Sequence, residues 1–167
     1  MQYLPLILLF ISLSTANTIC VKAKINNSFE QNAKDWGEAI ELNPFPSKKG
    51  FSGYASYNAG PGLKLIAYYN NNQVRSEHLI SADKSNLSLN REQCKNWAIK
   101  MFDLKQRGAY KKQLDMPRVQ GHFFDKGLVT YEYVYKNGKR SGAFQSVKVL
   151  IYDGNVSYIK INPKAYI

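Results

Sequence analysis

The sequence predicts an α+β domain: an antiparallel β-meander, a central amphipathic helix and a second antiparallel β-meander, with the sheet curled against the helix. Two stretches of alternating apolar and polar residues, 51–80 and 118–161, predict the strands. Between them, residues 90–108 carry an apolar stripe at helical spacing, and a shorter helical pattern near residue 29 predicts an extra N-terminal helix. A sheet folded around the central stripe is the simplest way to bury that stripe.

The N-terminus has the features of a secretory signal peptide. An apolar run from Leu4 to Leu13 is shorter than the ~20 residues that span a bilayer, and the small residues Ser14-Thr15-Ala16 follow it. We therefore predict a signal peptide over residues 1–16 and a single exported domain over residues 17–167, secreted or periplasmic and without a transmembrane segment. An uncleaved anchor is the alternative, because no Lys or Arg precedes the apolar run.

The chain contains two cysteines, Cys20 and Cys94. An oxidising compartment favours a disulfide between them, which would close a long loop and contribute on the order of 4 kcal/mol. Two alternatives remain open. Cleavage after Ala23 removes Cys20, and a lipid anchor on Cys20 requires a small residue before it, where the chain has Ile19.

The first helix is predicted shortly after the leader. Ser28 resembles an N-cap, with Gln31 in the reciprocal position of a capping box. The apolar residues at helical spacing are Phe29, Ala33, Trp36 and Ile40. Pro44, Pro46 and Gly50 follow and predict a segment without regular structure.

The first meander is predicted over residues 51–57, 63–69 and 73–80. Three consecutive asparagines, Asn70–Asn72, separate its last two strands. Asparagine tolerates a left-handed backbone better than other residues with a side chain, and a tight hairpin requires that conformation. The asparagines therefore indicate a turn and not a binding feature.

The central helix is predicted to begin at Asn90, with Gln93 completing a capping box. Its apolar stripe comprises Cys94, Trp97, Ala98, Met101 and Leu104. Gly108 is suited to end the helix in a left-handed conformation. In the second meander, Asn137-Gly138 and Asp153-Gly154 each predict a two-residue hairpin turn.

The chain is strongly basic, with a formal net charge of +11 and a pI of about 9.6. This charge favours anionic partners such as an acidic protein, nucleic acid or an anionic envelope polymer, but a lysine-rich surface also keeps a protein soluble. The densest cluster, a candidate binding patch, comprises Lys105, Arg107, Lys111 and Lys112. Its alternative interpretation is a helix C-terminus followed by a solvated loop.

Recognisable catalytic motifs are absent from the sequence, and the spacing of cysteines and histidines fits no metal site, so no metal or cofactor is predicted. A hydrolase acting on RNA could be assembled from His78, His122 and Glu132, with Arg75 or Arg118 binding phosphate. Ordinary strand or turn positions are the favoured explanation of the same histidines. The sequence therefore does not favour an enzyme.

We predict a small exported protein that binds a macromolecule without catalysis, as an inhibitor or immunity-type protein does. An acidic protein or an anionic polymer is the expected partner, because the domain is basic, rich in tyrosine and without a convincing catalytic set. The first alternative is a small secreted hydrolase or toxin acting on RNA or another anionic polymer. The second is an envelope protein that binds polyanions by charge alone.

Overall fold

The computed structural model describes residues 25–48, 51–82 and 88–152. Their secondary-structure elements are α1 (Phe29–Trp36), β1 (Glu41–Lys48), β2 (Phe51–Asn58), β3 (Leu63–Asn70), β4 (Gln73–Ser81), α2 (Arg91–Met101), α3 (Leu104–Arg107), β5 (Tyr110–Asp115), β6 (Val119–Phe124), β7 (Gly127–Lys136) and β8 (Lys139–Ile151). The predicted leader over residues 1–16 lies outside the described residues.

The strands form one eight-stranded antiparallel sheet in the order β1-β2-β3-β4-β8-β7-β6-β5. Pairing of β4 with β8, in which Leu79 lies opposite Val147, joins the two halves into a continuous sheet. The predicted α+β class with a central helix is therefore wrong, and the protein is mainly β. The reason is that β2, β3, β4, β7 and β8 supply most of the buried apolar core, whereas the helices are too short to form a layer of equal weight.

Two of the predicted hairpin turns are confirmed. Asn71 and Asn72 have φ angles of 49° and 60°, and Asn137 and Gly138 have φ angles of 49° and 73°. Positive φ at both central residues is the signature of a type I′ turn, whose twist matches that of the flanking strands. The third turn, Asp153-Gly154, lies outside the described residues.

The predicted N-terminal helix is confirmed over Phe29–Trp36, capped by Ser28, whose side chain accepts a hydrogen bond from the Gln31 amide. The Gln31 side chain donates to Asp35 and not back to the cap. Gly37, at φ 86°, ends the helix, so Ile40 is excluded from its apolar face and is 64% exposed.

Residues 43–50 were predicted to lack regular structure, but Glu41–Lys48 form β1. Proline cannot donate a ladder hydrogen bond, but an edge strand has one side on which no donor is needed. Because β1 is the edge of the sheet, Pro44 and Pro46 are accommodated, at the cost of a register shift between Pro44 and Lys48.

The predicted central helix is interrupted. α2 begins as expected, with a complete capping box between Asn90 and Gln93, but it ends at Met101. Phe102 leaves the helical conformation and is fully buried, and Asp103 then caps the short α3. The predicted stop at Gly108, at φ 69°, is confirmed.

Both longer helices lie on the same side of the sheet, which we call the helix face. Phe29 of α1 packs on Tyr69 with ring centroids 5.6 Å apart, and Trp36 of α1 stacks on Trp97 of α2 at 6.0 Å. The buried strand residues of this face include Tyr57, Leu65, Leu79, Val129, Val147 and Val149. The opposite side, called here the outer face, carries the alternate residues of each strand.

Candidate ligand-binding groove

A groove of about 330 Å³ lies between α2 and the helix face of β6, β7 and β8. Arg91, Lys95 and Ile99 of α2 form one wall, and Arg107 of α3 closes one part of the rim. The floor is formed by Gln120, His122, Phe124, Val129, Tyr131 and Phe144. Its volume lies at the lower end of the range for small-ligand sites.

Three cations rim this groove. Arg91 and Lys95 are four residues apart on α2 and so lie on the same side of the helix. The guanidinium of Arg107 lies 5.0 Å from the ring centroid of Phe124, on the floor. Within the described part of the chain, none of the three has a carboxylate partner, so their charge is available to an anionic ligand.

The floor is aromatic and uncharged at neutral pH. The His122 ring packs against Tyr131 and Tyr110, with centroid distances of 6.0 and 6.1 Å. Burial, and secondly the positive charge of Arg91, lower the pKa of His122. Burial raises the pKa of Tyr131 to about 12, although Arg107 and Arg91 act in the opposite direction. The groove thus combines a cationic rim with a neutral floor.

The two predicted catalytic histidines lie on opposite faces of the sheet. His122 is on the helix face, where it pairs with Val129. His78 is on the outer face, opposite Lys148 of β8. Burial, and secondly the charge of Lys148, lower the pKa of His78 to about 4. The sheet therefore separates the histidines, and they cannot act on one bond.

Glu132, the third catalytic candidate, also lies on the outer face and accepts a hydrogen bond from the Ser146 hydroxyl at 3.2 Å. It is two strands away from His78 and two residues out of register, which corresponds to roughly 12 Å at the spacings of an antiparallel sheet. That separation prevents direct proton transfer between the two groups. The structure brings none of the three candidates together.

The candidate basic patch is divided among three environments. Arg107 faces the groove, whereas Lys105 of α3 is exposed. Lys111 is ion-paired with Asp125 at 2.6 Å. Lys112 is on the outer face, with its ammonium 5.1 Å from the ring centroid of Phe123. Of the four predicted cations, only Arg107 lines the groove.

Cys94 is buried in the core at 1% exposure, and burial raises the pKa of its thiol to about 12. Its predicted disulfide partner, Cys20, lies outside the described residues. The depth of Cys94 argues against a reactive nucleophile, since a reactive cysteine needs an accessible thiolate.

A buried carboxyl lies beneath α1, away from the groove. Glu77 of β4 is fully buried, and neither of its carboxyl oxygens has a hydrogen-bond partner among the described residues. Burial raises its pKa to about 8, and the nearby amide of Asn32 offsets this only in part. Beside it, the hydroxyls of Tyr57 and Tyr69 are hydrogen-bonded at 2.8 Å. Glu77 is therefore protonated at neutral pH.

Neither a metal site nor a membrane span is found in the described part of the chain. No three histidine, cysteine or acidic side chains there lie close enough to hold a metal ion. No helix there is both long and apolar enough to cross a bilayer.

No protein-family model matches the chain, and no curated protein matches it in sequence. The solved structures that resemble it distantly include two secreted or extracellular bacterial proteins. A cysteine-rich secretory protein of Staphylococcus aureus subsp. aureus Mu50 shares 10% identity at a TM-score of 0.46, over 75% of this chain and 44% of that chain. An extracellular protein containing a SCP domain, from Bacillus anthracis str. Ames, shares 12% identity at a TM-score of 0.42, over 80% of this chain and 45% of that chain. This chain spans less than half of either protein, and similarity this distant carries no argument about function.

Sequence reasoning did not identify Arg91 or Lys95 as site residues. Their spacing on α2 places both on one side of that helix, and this signal was present in the sequence. The sequence did not show that this side would lie over an aromatic floor, because the floor is assembled from three later strands.

Proposed function

We propose that the protein is an exported, non-enzymatic binding module whose groove holds an anionic, partly apolar group of an acidic partner protein. The observation that carries the proposal is the set of three cations around an aromatic floor, none of which has a carboxylate partner among the described residues. Charged groups placed in this way select and orient an anionic partner, while the apolar floor supplies contact area. An inhibitor or immunity-type protein acts through such a surface.

The dimensions of the groove favour a protein partner over a long polyanion. A volume of about 330 Å³ accommodates one or two side chains, whereas binding of a nucleic-acid backbone requires a continuous basic track. The basic residues after α3 do not extend the groove into such a track. Lys111 is neutralised by Asp125, and Lys112 lies on the other face of the sheet.

The placement of the catalytic candidates does not support the hydrolase alternative. His78 and His122 are separated by the sheet, and burial lowers the pKa of both rings. A general-acid/general-base pair requires both groups within hydrogen-bond reach of one substrate.

The test compares capture of partner proteins by three immobilised forms of the protein, from envelope extract and culture medium, at low and high salt. The groove variant replaces the three rim cations by glutamine: Arg91→Gln, Lys95→Gln and Arg107→Gln. The matched control removes the same charge from exposed positions elsewhere: Lys34→Gln, Lys136→Gln and Lys139→Gln.

We expect a stoichiometric protein to be retained through the high-salt wash by the wild type and the control, and lost from the groove variant. Equal loss from both variants would instead show attraction by net charge. Retention by all three would show that the groove is not the binding site. Turnover of RNA or glycan substrates by the purified wild type would replace the binding proposal with the hydrolase.

A further inference from the structure

The two edges of the sheet differ in their capacity to accept another strand. β1 contains Pro44 and Pro46, which have no N–H, and its pairing with β2 is irregular. β5 at the other edge contains no proline, and most of its residues are exposed. An unpaired edge with a full set of donors and acceptors is a template for strand addition, whereas prolines on an edge block it.

The pairing of β5 with β6 shows which backbone groups face outward. Met116 and Val119 exchange two hydrogen bonds at the hairpin turn, of 2.8 and 3.3 Å. In an antiparallel ladder, hydrogen-bonded and non-hydrogen-bonded pairs alternate. By this alternation, the backbone groups of Lys112 and Leu114 bond to β6. The N–H and C=O groups of Gln113 and Asp115 therefore point away from the sheet.

The charge around this edge favours an acidic strand. Two carboxylates near it are already neutralised, since Asp115 is ion-paired with Arg140 and Asp125 with Lys111. Lys112 on β5 and Arg118 in the following turn have no carboxylate partner among the described residues, although each lies over an aromatic ring. The edge therefore has a surplus of positive charge that an acidic segment would complement.

The same edge borders the groove. On the helix face, Gln113 of β5 lies opposite His122, and Tyr110 lies opposite Phe124, both of which belong to the groove floor. A strand added to β5 would run roughly 10 Å from the floor, two inter-strand spacings away. Its helix-face side chains would therefore stand at the groove mouth, beside Tyr110, which is 55% exposed.

We infer that β5 is a docking edge for an extended acidic segment of a partner protein, which adds to the sheet as a further strand and directs alternate side chains to the groove mouth. This inference rests on the proposed function, because it names the form in which the acidic partner binds. Main-chain hydrogen bonds to Gln113 and Asp115 fix the register of the added strand, and the groove cations select its acidic side chains.

The test uses the isotope-labelled full-length protein and a synthetic octapeptide of alternating Glu and Val with blocked ends. Amide hydrogen exchange is measured by NMR with and without the peptide. We expect exchange at Gln113 and Asp115 to slow at least about tenfold on binding, while Lys112 and Leu114, already bonded to β6, change little. The matched control peptide has Lys in place of Glu and should not bind.

Two variants at one position separate the backbone from the side chain. Gln113→Pro removes one outward N–H and no hydrogen bond to β6, and we expect the Kd for the acidic peptide to rise at least about tenfold. Gln113→Ala keeps the N–H, and its Kd should stay within about twofold of the wild type. Protected amides at Lys112 and Leu114 verify that each variant retains β5.

Peptide binding without protection at Gln113 and Asp115 would overturn the inference, and so would the absence of binding up to about 1 mM or equal binding of the lysine peptide. Each of these results leaves the proposed function standing if the groove variant still loses its captured protein. Conversely, if the peptide protects the amides of Gln113 and Asp115 but the groove variant still captures its partner protein, the proposed function is refuted and the docking edge stands.

Discussion

The buried carboxyl of Glu77 allows a quantitative test of the core. Its pKa is raised from 4.5 to about 8 because burial disfavours the charged form. In the unfolded chain the group ionises near pH 4.5, so between that pH and about 8 the folded state holds a proton that the unfolded state has lost. The contribution of this proton to the free energy of unfolding is therefore full below pH 4.5 and is lost as the pH rises towards 8.

The substitution Glu77→Gln should remove this dependence, because glutamine has nearly the same shape and stays neutral. Across this window, each pH unit lowers the free energy of unfolding of the wild type by about 1.4 kcal/mol relative to that of the variant. Between pH 5 and 7.5 the difference in unfolding free energy should therefore grow by about 3 kcal/mol, in favour of the variant. The corresponding difference in melting temperature is roughly 6–12 °C for a domain of this size.

The assay is chemical denaturation of both proteins at half-unit pH steps from 5 to 8. The lowered pKa values of His78 and His122 also change stability with pH, but they act equally in both proteins and cancel in the difference. Glu38→Gln, which removes a carboxylate from an exposed position, controls for the change in net charge. A difference between wild type and Glu77→Gln that stays constant with pH would refute the reasoning.

Three further predictions concern stability and reactivity. Gly127→Ala should destabilise the protein by several kcal/mol in denaturant unfolding, since a Cβ there would collide with the β8 backbone and the Phe102 ring. Gly138→Ala places its Cβ in open space, although at a φ of 73°, and should cost only about 1 kcal/mol. A similar cost for both would contradict this distinction. Because burial lowers the pKa of His78 to about 4, the free energy of unfolding of the wild type should fall by up to about 3 kcal/mol between pH 6.5 and 4. His78→Gln should not show this fall, and the same fall in both proteins would argue against the burial of His78. Without reductant, no thiol should react even in denaturant if Cys94 forms the predicted disulfide with Cys20, and one reactive thiol under these conditions would count against that disulfide. After reduction, the buried thiol of Cys94 should stay unreactive until the protein unfolds.

Local signals in the sequence predicted local structure well. The asparagine turns and the Asn90 capping box follow from backbone preferences that act within four residues. The fold class did not follow, because it depends on which strands pair across the sheet and not on which strands exist. β5 went unpredicted for a related reason: exposed on both faces, it lacks the apolar alternation by which strands are recognised.

The candidate site shows the same division. Sequence proximity grouped Arg107 with Lys111 and Lys112, yet the turn after α3 and the bulge in β5 direct those lysines elsewhere. The groove instead joins Arg107 to Arg91 and Lys95 through the packing of α2 on the sheet. Contacts of this kind are set by tertiary packing, for which a single sequence gives no distance.

The prolines of β1 also limit how copies of this chain can assemble. Repeated growth requires every molecule to offer two complementary edges, one to receive a neighbour and one to be received. Because Pro44 and Pro46 interrupt the donors of one edge, β5 is the more competent of the two edges of the described sheet. Two copies joined at β5 would bury these edges against each other, so that such a pair would be symmetric and would leave neither β5 edge free for a further copy.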